Sequence, residues 1–259
     1  MGFEVHYFPE LDYNEYCEII KDYEGIVIRN KIRLDTKILD KAVKLKFIAR
    51  AGSGMENIDI EHAKSKGICC INSPEGNRDS LGEHTLGMLL SLFHRIHLSN
   101  AEVKSGIWKR EENRGMEIMG KTVGIIGYGN MGGAFARKLK GFDAVVIAYD
   151  KYKKNFSDEF VKEVSLQEIF QESDILSLHI PLNDETRFLV DADFLGNFKK
   201  PIYLINTSRG KVVCTKDLVK AMESGIVQGA ILDVIEYESG TFEALNSKNL
   251  PEDFKYLMN

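Results

Sequence analysis

Residues 122–150 hold a pattern that few folds can accommodate. An apolar run, Val123–Ile126, leads directly into Gly127-Tyr128-Gly129-Asn130-Met131-Gly132, and a helical period follows over Met131–Lys140. A second apolar run, Ala144–Tyr149, ends on Asp150. The glycine spacing alone is a weak signal. Strand, glycine loop, helix, strand and an acid roughly 20 residues beyond the glycines is the order that a dinucleotide-binding βαβ unit requires. Gly127 permits the tight turn, Gly129 lets backbone approach a pyrophosphate, and Gly132 lets the helix pack against the strand. The helix N-terminus offers N–H groups and a positive dipole end to phosphates. Asp150 is placed to accept from ribose hydroxyls and to repel a 2′-phosphate, which favours NAD over NADP. The nearby Lys151, Lys153 and Lys154 read as a solvated loop.

The rest of the chain has the same alternation. Phe3–Phe8, Gly25–Ile28, Phe47–Ala51 and Ile68–Ile71 read as strands. Leu11–Lys21, Thr36–Lys41 and Ile60–Lys66 read as helices, the last ending at Gly67. Beyond Asp150, strands are expected at Ile175–Leu178, Ile202–Ile205 and Gly229–Val234, with helices at Leu166–Gln171 and Lys216–Ser224. Strands alternating with helices predict parallel sheets and an α/β architecture. Asn72-Ser73-Pro74-Glu75-Gly76-Asn77 is a loop by composition. A long helical stretch follows, about 79–104, with apolar residues at 3- and 4-residue steps. The loop reads as a hinge and the helix as a bridge between two domains, 1–75 and 76–259.

Several classes of function are excluded by composition. The 34 Lys and Arg against 39 Asp and Glu give a net charge of −5, which disfavours nucleic acid as a partner. No apolar run is long enough for a membrane helix, and MGFEVHYFPE lacks the basic and apolar regions of a signal peptide. The four cysteines, Cys17, Cys69, Cys70 and Cys214, form no C-x-x-C pair and read as buried free thiols, with no metal site implied. A reduced, cytoplasmic setting is expected.

The chain resembles the D-isomer-specific 2-hydroxyacid dehydrogenases and, within them, the phosphoglycerate dehydrogenases. The resemblance rests on Phe47–Gly54 with Asn57-Ile58-Asp59, Asn72-Ser73-Pro74, Glu83-His84, the glycine loop, His179-Ile180-Pro181-Leu182, Asn206-Thr207-Ser208-Arg209-Gly210 and Gly229–Val234, in that order. It implies two Rossmann-like, doubly wound parallel-sheet α/β domains, the substrate domain incomplete at both chain ends. The activity implied is NAD-dependent hydride transfer at C2 of a D-2-hydroxy acid or 2-oxo acid, foremost 3-phosphoglycerate on the route to serine. Glycerate or glyoxylate is the alternative substrate class, and a homodimer using the long helix is implied.

The resemblance also assigns residues. Arg209 is the catalytic arginine, whose guanidinium fork can hold the substrate carboxylate and polarise the C2 oxygen. Glu238 matches the catalytic glutamate. Ser53 and Gly54 match a loop whose N–H groups receive the carboxylate, and Arg29 and Arg50 match arginines that face a phosphate. Asn130 and Met131 cap the pyrophosphate, Ile180 and Pro181 flank the adenine, Thr207 and Ser208 line the cofactor side, and Asp233 contacts the nicotinamide carboxamide.

One departure stands out. The family's catalytic histidine lies in a Pro-His motif after Glu238, and none of His6, His62, His84, His94, His97 or His179 matches it. The reading is a fragment of a working enzyme, with an NAD-binding protein lacking efficient turnover as the alternative.

Overall fold

The computed structural model describes residues 2, 4–238 and 251–257. They form two compact units, Met1–Asn77 and Arg78–Asn259. Unit 1 contains α1 (Tyr13–Ile19), β1 (Gly25–Ile28), α2 (Thr36–Lys41), β2 (Phe47–Arg50), α3 (Ile60–Ser65) and β3 (Cys69–Asn72). Its three strands pair in parallel in the order β1-β2-β3. Each helix begins on an aspartate, Asp12, Asp35 or Asp59, whose side chain accepts a first-turn backbone N–H. The core gathers Ile26, Leu34, Ile38, Leu39, Ile48 and Ala63 between sheet and helices.

Unit 2 begins with α4 (Arg78–Phe93) and α5 (Ile96–Lys104). Then come β4 (Thr122–Ile126), α6 (Asn130–Leu139), β5 (Val145–Tyr149), β6 (Lys162–Glu163), α7 (Leu166–Glu172) and β7 (Ile175–Leu178). The series continues with α8 (Ala192–Gly196), β8 (Ile202–Asn206), α9 (Thr215–Glu223), β9 (Val227–Leu232) and α10 (Glu252–Leu257). All strand pairs are parallel, in the order β6-β5-β4-β7-β8-β9. Winding reverses between β4 and β7, the switch point outside which a doubly wound sheet binds its ligand. Separate cores cover the two faces, one around Leu176, Leu204 and Leu218, the other around Leu89, Val123, Ile125 and Phe135. The central strands are therefore mostly apolar on both faces rather than alternating. Thr122 and Asp174 tie β4 to the entry of β7. The Thr122 N–H donates to Asp174 Oδ2 at 2.7 Å, and the Asp174 N–H donates back to Thr122 O at 2.9 Å.

Three expectations change. The helix expected over about 79–104 is two helices, because Arg95 adopts φ 50°, ψ 35°. The Phe93 carbonyl, which a continuous helix would pair with residue 97, accepts instead from Met116 N–H at 2.9 Å. The strand expected at Phe3–Phe8 does not form over 4–8, and Phe3 lies outside the described residues. Its alternating apolar residues have no sheet face to cover. Val5 and Tyr7 are 83% and 85% exposed, and the His6 ring bonds Tyr23 and Glu4. Among the cysteines only Cys17 is buried; Cys69 is exposed on the sheet's edge strand.

Candidate active site

In unit 2 every candidate residue projects from the carboxyl end of the sheet. Gly127 follows β4 with φ +94°, and a Cβ there would lie 2.4 Å from His179 O, so only glycine fits. A Cβ on Gly132 would lie 2.2 Å from Gly127 O, which measures how closely α6 approaches the loop. Gly129 differs. It is the N-cap of α6, and among the described residues no side chain caps that helix and a Cβ would meet nothing within 4 Å. Gly129 and Asn130 are exposed and Met131 is half-buried. The first turn of α6 is an open cradle of backbone, the environment a pyrophosphate needs.

Asp150 is bound into that cradle. Its Oδ2 accepts from Tyr128 N–H at 2.9 Å, and its Oδ1 accepts from Tyr152 and Lys153 N–H, each at 2.9 Å. Burial works to raise its pKa, but the three backbone donors outweigh it and hold the carboxyl below the usual range. The carboxylate is thus kept charged beside the glycine loop. Ile180 and Pro181 leave β7 on the other side of the switch point, Ile180 half-buried and Pro181 exposed. His179 donates its N–H to Ile126 O at 2.8 Å, and its ring sits beneath the loop with Nε2 2.9 Å from Ser177 Oγ. The residue keeps some exposure, yet Nδ1 is enclosed with no partner among the described residues, and burial lowers the ring pKa to about 4. These groups fit a dinucleotide.

A second cluster lies beyond β8 and β9. Asn206 is fully buried. Its Oδ1 accepts from Ser208 N–H at 3.1 Å and from Ser208 Oγ at 2.7 Å, while its Nδ2 donates to Arg209 O at 3.0 Å. That one amide shapes the Thr207-Ser208-Arg209 turn, and Thr207 and Ser208 are buried with it. Arg209 Nη1 donates to Ser208 O at 2.7 Å. A Cβ on Gly210 would lie 1.8 Å from Ile235 O, so the loops after β8 and β9 touch. Asp233 donates its N–H to Asn206 O at 3.1 Å, and its Oδ1 lies 3.0 Å from His84 Nε2 on α4. Glu238 Oε1 accepts from Ile235 N–H at 2.6 Å. Burial raises the Glu238 pKa and Asp233 adds to that, against the Ile235 N–H and the Arg209 charge. The structure therefore brings Arg209, Asp233 and Glu238 together. Asn206, His84 and Tyr128 join the site without having been expected there, although each lies inside a motif of the resemblance: Asn206–Gly210, Glu83-His84 and the glycine loop.

Unit 1 gathers its candidates at the carboxyl ends of β1 and β2. Arg29 follows β1 and is exposed, and Arg50 ends β2. Arg50 Nη1 donates to Ala51 O at 2.7 Å and Nη2 to Asn30 Oδ1. Ser53 and Gly54 are half-buried, with Ser53 O held by Asn72 Nδ2 at 2.7 Å. Asn57 Nδ2 bonds Arg29 O at 2.8 Å and joins the two loops.

Known proteins share this organisation. Residues 86–254 match the family model described as D-isomer specific 2-hydroxyacid dehydrogenase, NAD binding domain. The hydroxypyruvate reductase of Thermotoga maritima is 36% identical over 233 residues, which cover 90% of this chain and 76% of that protein. The D-3-phosphoglycerate dehydrogenase of Methanocaldococcus jannaschii is 34% identical over 238 residues, 91% of this chain but 45% of that longer protein. The crystal structure of D-lactate dehydrogenase from Aquifex aeolicus with NAD and lactic acid superposes with a TM-score of 0.81 at 31% identity, covering 93% of this chain and 74% of that one.

Proposed function

Because this chain belongs to the D-isomer-specific 2-hydroxyacid dehydrogenase family, whose cofactor is NAD, we propose that it oxidises or reduces a D-2-hydroxy or 2-oxo acid, specifically 3-phosphoglycerate and its oxo form. Unit 2 is then the cofactor domain and unit 1 the substrate domain. The bound cofactor supplies hydride exchange with C2 of the acid. The glycine loop and first turn of α6 hold the pyrophosphate, with Asn130 and Met131 at its edge. Asp150 accepts from the ribose, and Ile180 and Pro181 border the adenine. Thr207, Ser208 and Asp233 line the nicotinamide side. The Arg209 fork binds the carboxylate and draws electron density from the C2 oxygen. Glu238, with its proton affinity raised by burial, is the carboxyl held near the Arg209 charge. Within unit 1, Ser53 and Gly54 offer backbone N–H groups suited to an anionic acid.

The observation that carries the choice of acid is the pair Arg29 and Arg50 on one end of the unit 1 sheet, suited to a phosphate dianion. A second reading has specific support. Arg50 already donates to Ala51 O and Asn30 Oδ1, and the relative at 36% identity is named hydroxypyruvate reductase, so an unphosphorylated acid also fits. Calorimetric titration of 3-phosphoglycerate and glycerate onto the NADH-loaded protein separates the two. Under the first reading Arg29→Ala and Arg50→Ala weaken phosphoglycerate alone; phosphoglycerate binding that survives both changes sinks it.

The proposal extends to a cytoplasmic homodimer in serine biosynthesis. Four free cysteines support the compartment. Apolar groups exposed on α5 and just after it, Ile96, Val103, Ile107 and Trp108, support the dimer. Light scattering of the native protein and of Trp108→Asp tests it.

A further inference from the structure

Three lysines in the four residues after Asp150 are an unusual neighbour for a site that takes NAD. A 2′-phosphate carries nearly two negative charges, and clustered ammonium groups at the ribose end would attract it. Each lysine is exposed, yet none stands as free charge. Lys153 Nζ donates to Tyr128 O at 3.3 Å and lies over the Tyr128 ring at 5.0 Å. Lys154 Nζ donates to Asp150 O at 3.1 Å. Lys151 Nζ is held at 2.6 Å by Glu185 Oε2, and the same oxygen accepts from Tyr152 OH at 2.7 Å.

Glu185 comes from the other side of the site. It belongs to the loop after β7, whereas Lys151 and Tyr152 belong to the loop after β5, and β4 with its glycine loop lies between those strands. Its placement is built in. Asn183 Oδ1 accepts from the Glu185 and Thr186 N–H groups, both at 3.0 Å, and Thr186 Oγ1 donates to Pro181 O at 2.6 Å. The turn therefore presents the carboxylate towards the two donors. Hydrogen bonding to Glu185 raises the Lys151 pKa, and hydrogen bonding to Lys151 and Tyr152 lowers that of Glu185, so both remain charged at neutral pH.

We propose that Glu185 is a specificity-determining residue. It withholds the Lys151 ammonium and the Tyr152 hydroxyl from a 2′-phosphate and adds a negative charge across the slot from Asp150, so the site takes NAD and rejects NADP. This rests on the cofactor reading of Asp150 above. It assigns the choice between the two cofactors to residues on both sides of the switch point, not to Asp150 alone.

The test uses the 259-residue protein, the Glu185→Gln variant and the Lys151→Ala/Glu185→Gln double variant, with Kd for NADH and NADPH read from nicotinamide fluorescence. Glutamine keeps the shape and removes the charge. In Glu185→Gln, NADPH should tighten roughly tenfold while NADH stays within about twofold. The gain should shrink at high salt and be smaller in the double variant, where only the removed repulsion and the Tyr152 hydroxyl remain. An unchanged NADPH Kd in Glu185→Gln overturns the proposal, and so does a gain left undiminished by the loss of Lys151. Failure of the underlying cofactor reading looks different: wild type would then bind neither nucleotide, whereas failure of the proposal alone leaves NADH binding intact.

Discussion

The backbone N–H of Tyr128, inside the glycine loop, donates to Asp150 Oδ2 at 2.9 Å. The two halves of the dinucleotide signature are thus bonded directly to each other. Loop shape and carboxylate charge are one property, and changing either disturbs both.

Asp150→Ala leaves the N–H groups of Tyr128, Tyr152 and Lys153 without their acceptor. It should cost about 2 kcal/mol of stability and raise the NADH Kd more than tenfold. The sign in pH follows from the lowered pKa. The contribution is present above the ordinary aspartate range and is lost as pH falls through the lowered folded value. Urea melts of wild type and variant should converge in acid and separate at neutral pH.

Gly127→Ala and Gly129→Ala should behave differently. At Gly127 a methyl group meets His179 O with φ at +94°, and destabilisation of about 3 kcal/mol is expected. At Gly129 the methyl enters open space, so the melting temperature should barely move while NADH binding weakens. Equal melting shifts for the two variants would contradict this division between fold and ligand.

His179 gives a pH dependence of its own. Burial lowers its pKa from 6.5 to about 4, so the native ring stays neutral where an unfolded chain takes up a proton. Stability is complete above pH 6.5 and falls by about 3 kcal/mol towards pH 4. In His179→Asn the slope across that window should flatten, whatever the variant's absolute stability. A variant with the wild-type slope would show that another group is responsible.

Asn206→Ala removes an amide that meets three groups of the Ser208-Arg209 turn. Orphaning them in a buried site should cost about 3 kcal/mol and lower substrate affinity through Arg209. Asn206→Asp still accepts from Ser208 but turns a carboxylate oxygen towards Arg209 O, so it should not rescue. Calorimetry and substrate titration read the two effects separately.

What the sequence made legible follows a physical divide. Strands buried on both faces read as apolar runs, so Val123–Ile126 and Ile175–Leu178 stand out, and the glycines mark their turn by the absence of side chains. The two-residue β6, Lys162–Glu163, is polar and leaves no such trace. The break at Arg95 has neither proline nor glycine to announce it; a carbonyl captured by Met116 from far along the chain makes it. Phe3–Phe8 alternates as a strand does, but alternation states only a preference and needs a neighbour to act on. Tyr152 meets Glu185 because parallel strands bring their carboxyl ends to one side, and His84 meets Asp233 because α4 packs against β9.

The reciprocal pair between Thr122 and Asp174 has a consequence for synthesis. Its members lie 52 positions apart, and β4 has no second neighbour until the chain has passed Leu178. A nascent chain emerging from the ribosome therefore exposes β4 unpaired until β5 follows, and half-paired for about thirty residues more, made at about 5–20 residues per second. For those seconds the glycine loop has no His179 to close against, and an apolar strand beside it stands open to aggregation.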